Sequence, residues 1–169
     1  MSADLNWIIS NHGDFLERLG INRDKIIAEY ETWKTSYPDS TTTSDFFGEL
    51  LRQATLYNIK HANTEEEYAN TNIEISSRKL EFCGPHSHEN RYFLLQQLHF
   101  AKLMISRLTL PFKFDVQIKA DNCCSYCSKQ NNKIYPLDKV IERKYLPHSR
   151  CKNEEGCRCS YSIVPLLDT

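Results

Sequence analysis

The chain has 169 residues, 40% of them hydrophobic and 25% charged, with a formal net charge of −1. These values lie within the range of globular proteins and exclude collagenous or wholly disordered classes. No window approaches the roughly 18 uninterrupted apolar residues of a transmembrane helix, and the near-zero charge gives no global reason to expect nucleic acid or an acidic membrane as partner. The N-terminal stretch MSADLNWIISNHGDF has neither a basic n-region nor an apolar h-region. No secretory signal is therefore expected, and the expected compartment is the cytoplasm, where thiols stay reduced.

The first 110 residues read as helices. Gly20 is placed to end a first helix after Phe15-Leu-Glu-Arg-Leu, and Asn22 to cap the next. Ile26, Ile27, Tyr30, Trp33 and Tyr37 then form a single helical stripe, stopped by Pro38. The segment Pro38–Ser44 is a polar connector, and Ser44 is expected to cap a helix carrying Phe47, Leu50, Leu51, Ala54 and Tyr57 on one face. Thr64 and Glu67 have capping-box spacing ahead of a further helix. Within it, Ile73-Glu-Ile75-Ser alternates like a strand. Cys83-Gly-Pro-His-Ser-His88 is a break. Leu94, Leu95, Leu98, Ala101, Leu103, Ile105 and Leu108 follow as an arc apolar enough to predict a helix central to a bundle.

At Pro111 the period changes. Phe112, Phe114, Val116 and Ile118 alternate with Lys113, Asp115, Gln117 and Lys119, which predicts a half-buried strand. A tight hairpin around Asn131-Asn132, a short helix near residues 137–144 and a last strand in Cys159-Ser-Tyr-Ser-Ile-Val-Pro complete the reading. The predicted architecture is mainly α: a helical bundle over residues 1–110, then a small β-rich zinc-binding module over 111–169. Because no flexible linker separates them at Pro111, the module is expected to pack on the bundle.

Six of the seven cysteines fall between Cys123 and Cys159. Cys124-Ser-Tyr-Cys127 is a C-x2-C unit, which lets two sulfurs face one ion while turn amides donate to them. Cys157 and Cys159, two residues apart on an extended strand, project to one face. A segment this short with few large apolar groups needs more than burial to fold, and a structural metal commonly supplies it. One structural Zn2+ per chain is therefore predicted, with ligands drawn from Cys124, Cys127, Cys151, Cys157 and Cys159. His148 is an alternative fourth ligand, the spare member of the distal group is open, and Cys123 reads as a bystander. Cys83, His86 and His88 form a loop cluster more in keeping with structure than with a second metal.

The run Cys124-x2-Cys127, Tyr135-Pro136, a short helix, then Leu146-Pro147-His148-x2-Cys151 and Cys157-Arg158-Cys159 resembles the C-terminal zinc motif of phage Mu F-type head morphogenesis proteins. The resemblance covers about residues 120–165. It implies metal binding and a bacterial or phage origin.

Three function classes follow. Cysteine-only coordination leaves no open position for water and favours a non-enzymatic interaction protein that docks on another protein. A nucleic-acid binder is the alternative, since residues 119–159 carry nine Lys and Arg against five Asp and Glu, with Tyr126, Tyr135 and Tyr145 interleaved. A metalloenzyme or nuclease-associated subunit comes third. The deaminase signature, H-E-x2-H, phosphate loop and G-x-S-x-G are all missing, and no histidine pair follows the cysteines as a treble-clef nuclease requires.

Overall fold

Two apolar stripes closed by well-formed caps build the start of the chain. In a computed structural model, which describes residues 3–38, 43–82, 88–120, 123–153 and 156–166, helix α1 spans Ala3–Arg18 and α2 spans Arg23–Ser36. Between them Gly20 takes φ +70, a left-handed value that glycine adopts without a Cβ penalty. The Ile21 N–H donates to the Leu16 carbonyl at 2.9 Å, closing the helix end. A Cβ at Gly20 would lie 2.6 Å from a ring carbon of Tyr57, so α3 (Thr43–His61) also leaves no room for a side chain at this turn. Asn22 caps α2 as expected, its side chain accepting from the Lys25 N–H at 3.0 Å.

Helix α3 begins at Thr43, so Ser44 lies inside the first turn and is not the cap. Residues 39–42 of the predicted connector lie outside the described residues. The core of this unit is apolar: Leu5, Ile8, Phe15, Leu16, Ile26, Phe46, Phe47, Leu50, Leu51 and Ala54 are all buried. Phe46 takes the edge of Tyr30 at 5.0 Å and lies 5.6 Å from Trp33, which seats α2 on α3.

The chain divides into two compact units, Met1–Thr64 and Glu65–Thr169. Helices α4 (Glu65–Phe82) and α5 (His88–Thr109) thus belong with the cysteine-rich segment. Helix α4 starts immediately after Thr64, and the strand-like Ile73–Ser76 is helical, with Ile75 and Ser76 buried. Four alternating residues do not override a helix with three glutamates in its first turn. The α5 stripe is enclosed only at Ala101 and Leu103, while Leu94, Leu95 and Leu98 are half-buried and Leu108 is exposed. The central position predicted for it is not found, because it packs against α4 and one face of a sheet.

That sheet has the order β2-β1-β3, all antiparallel, from β1 (Phe114–Lys119), β2 (Ile134–Pro136) and β3 (Ser160–Pro165). Strand β1 starts two residues later than the alternation suggested, with Phe112 exposed. Phe114 and Val116 point inward onto Leu103 and Val140, so α5 and the short helix α7 (Leu137–Arg143) close over one face of the sheet. Each such side chain contributes about 1.5–3 kcal/mol by burial. The Asn131-Asn132 pair does not make a tight hairpin. Asn132 is left-handed at φ +63 and returns the chain to β1 by donating its N–H to the Ile118 carbonyl, after an excursion that contains the four-residue helix α6 (Ser125–Ser128). Among the described residues no helix is long and apolar enough to cross a membrane.

Candidate metal centre

The C-x2-C unit is a tight knuckle. Cys124 stands at the N-terminus of α6 in an extended conformation, and its carbonyl accepts the Ser128 N–H at 3.0 Å. The Cys127 carbonyl accepts the Gln130 N–H at 2.9 Å. A second turn faces it, in which the Cys151 N–H donates to the His148 carbonyl at 3.0 Å and the Lys152 N–H reaches Cys124 Sγ at 3.4 Å. The loop before this turn contains the cis Leu146–Pro147 peptide, and the Leu146 N–H donates to Tyr161 Oη at 2.8 Å. Gly156, at φ +92, ends the loop against α5, where a Cβ would meet Arg91 Nε at 3.1 Å.

These turns bring together all five predicted ligands. The sulfurs of Cys124, Cys127 and Cys151 lie within 4.8 Å of one another, and Cys127, His148 and Cys159 form a second such group. Cys124 Sγ is 3.9 Å from Cys151 Sγ, and Cys127 Sγ is 4.0 Å from Cys157 Sγ. A tetrahedron of thiolates at about 2.3 Å from a central ion has edges of about 3.8 Å, which these separations match. A disulfide would need sulfurs at about 2.05 Å. No disulfide joins the described cysteines.

Cys123, read from the sequence as a bystander, has its sulfur 3.5 Å from that of Cys159, at the margin of the cluster. The signal available in the sequence was the Cys123-Cys124 doublet, whose neighbouring side chains diverge and so serve different positions of one cluster. The side chains of Cys83, His86 and His88 lie outside the described residues.

The electrostatics divide the cluster. Amide donation from Lys152, then from Cys127, lowers the Cys124 pKa to about 6, so this thiol is readily ionised. The others are pushed the opposite way. Burial, reinforced by neighbouring Cys157, drives Cys127 far up, and burial also raises Cys151 and Cys159. Adjacent buried thiolates repel, and only a bound metal ion makes their simultaneous ionisation favourable. Burial, and then Lys133, lowers the His148 pKa, which favours the neutral imidazole, the form that ligates metals. Its Nε2 is buried with no hydrogen-bond partner among the described residues, which a metal ion would explain. The donor set thus fits a metal ion, and it consists of soft and borderline ligands.

The centre forms much of the core of its module. Cys127, Cys157 and Cys159 are buried together with Ile118, Ala120 and Leu146. The basic segment's tyrosines are engaged within the fold: Tyr135 and Tyr145 stack on each other at 4.4 Å, and Tyr126 stands edge-on to His148 at 5.6 Å. A cleft of about 530 Å3 opens beside the centre, lined by Tyr92, Phe93, Leu95, Pro147, His148 and Gly156. Phe93 is 58% exposed at this cleft.

His99, on α5, stands edge-on to Tyr161 at 5.5 Å, and burial, followed by Lys102, lowers its pKa from 6.5 to about 4. Between those two values the unfolded chain takes up a proton that the folded chain refuses. Stability should therefore be complete above about pH 6.5 and fall as pH drops toward 4, by on the order of 2–3 kcal/mol. Urea titrations at fixed metal should show this slope in the parent chain and a shallower one in His99→Phe. Identical slopes would refute the assignment.

No protein-family model, curated protein or solved structure matches this chain.

Proposed function

We propose that this chain is a non-catalytic adaptor whose C-terminal module folds around zinc and whose cleft beside α5 docks another protein. The observation that carries this reading is the place of the cysteine cluster, which is built into the module's core together with Ile118, Ala120 and Leu146. A metal in that place organises the backbone, and thiolate and imidazole ligands leave no position for a reacting water. Zinc is favoured over other ions because the ligands are soft and borderline and their edges suit a tetrahedron. The exposed Phe93 ring in an apolar cleft supports docking of a protein surface. The engagement of Tyr135 with Tyr145 leaves those rings poorly placed to stack on bases, so nucleic-acid binding is the weaker alternative. Similarity to the Mu F-type motif supports a bacterial or phage source.

Elemental mass spectrometry of the purified protein should find zinc, and a protein partner retained by the parent chain should be lost in Phe93→Ser at unchanged zinc content. Binding to single-stranded oligonucleotides that weakens steeply with salt, with no Phe93-dependent partner, would replace the adaptor reading by the nucleic-acid one.

A further inference from the structure

Two separate tetrahedral sites need eight ligands, and residues 123–159 offer seven: six cysteines and His148. The shortfall disappears when one thiolate serves two ions. The two groups of close donor atoms share one residue, Cys127, which belongs both with Cys124 and Cys151 and with His148 and Cys159. Cys127 is also fully buried, at 0% exposure.

We infer that the centre is binuclear, with two zinc ions bridged by the Cys127 thiolate. This rests on the zinc reading above and adds the second ion and its ligands. Cys123, whose sulfur lies 3.5 Å from that of Cys159, is assigned as the fourth ligand of the ion held by Cys127, His148 and Cys159. Cys157, whose sulfur lies 4.0 Å from that of Cys127, is assigned as the fourth ligand of the ion held by Cys124, Cys127 and Cys151. Charge supports the assignment. Six thiolates and a neutral imidazole around two Zn2+ carry a net −2, the same as one zinc with four thiolates. The binuclear arrangement therefore leaves no thiol of the cluster unligated at no added electrostatic cost. It also gives a ligand role to the buried Nε2 of His148 and to the Cys123-Cys124 doublet.

Native mass spectrometry of the full chain, with elemental analysis, should find two zinc ions per chain. Cobalt(II) replacement tests the bridge, because two high-spin ions sharing a thiolate couple antiferromagnetically. The EPR intensity per cobalt should fall as the second equivalent binds. In His148→Ala the stoichiometry should drop to one ion without loss of the α4–α5 helical signal. One ion in the parent chain would overturn the binuclear inference and leave the zinc reading standing, whereas none, with all thiols titratable, would overturn both. Two ions with additive, uncoupled EPR signals would overturn the Cys127 bridge. These readouts on the parent chain hold whether or not any variant folds.

Discussion

Stripping the metal with a strong chelator should unfold the sheet and the two cysteine turns while α4 and α5 keep most of their helix. A structural zinc contributes on the order of 10–16 kcal/mol in small zinc-folded peptides, as much as the whole stability of an ordinary domain. The apolar contribution here is modest, since β1 buries Phe114, Val116 and Ile118 and the other two strands are largely half-exposed. Without the ion, Cys127, Cys157 and Cys159 would occupy the core as neutral thiols with little volume to pack. Amide exchange should show loss of protection at residues 114–119 and 160–165 on chelation and its return with added zinc. Protection that survives complete chelation, with every thiol reactive, would refute a structural metal.

The second large effect lies in the first unit and needs no metal. Phe46 is 1% exposed and packs against Tyr30 and Trp33. Phe46→Ala should cost about 3–5 kcal/mol, through lost transfer energy and the cavity left between α2 and α3. Both tryptophans of the chain, Trp7 and Trp33, lie in this unit, so their fluorescence in urea reports on it directly. Zinc content should stay unchanged, because every proposed ligand comes from residues 123–159. A cost below about 1 kcal/mol would mean that α2 is not anchored through this ring.

The parts of the fold that could be read in the sequence are those governed by local physics. Gly20 and Asn22 delimit a helix pair because a left-handed turn and an N-cap each depend on one residue's chemistry. The alternation of Phe114, Val116 and Ile118 against polar neighbours needed only the pleat of a strand. That Cys124, Cys127, Cys151, Cys157 and Cys159 gather in one cluster was legible from their spacing, since C-x2-C holds two sulfurs within one turn. What escaped was non-local. The grouping of α4 and α5 with the cysteine-rich segment depends on Leu103 meeting Phe114 and Val116, which no window of sequence contains. Cys123 was set aside because a C-x2-C unit was already complete beside it. Its meeting with Cys159 depends on the pairing of β1 with β3, which brings the chain segments just beyond each strand together.

That pairing has a kinetic consequence. Lys119 pairs with Ser160 at the closed end of the β1–β3 ladder, one residue from Cys159 and four from Cys123. Closing a loop of about 40 residues before any contact stabilises it is slow and entropically unfavourable. An ion that first gathers thiolates from the knuckle and from the distal turn shortens that search to a few residues. β3 can then zip onto β1 outward from Ser160 toward Pro165. In the zinc-folded module proposed above, the metal would set the order of events in assembly as well as the stability of the finished fold.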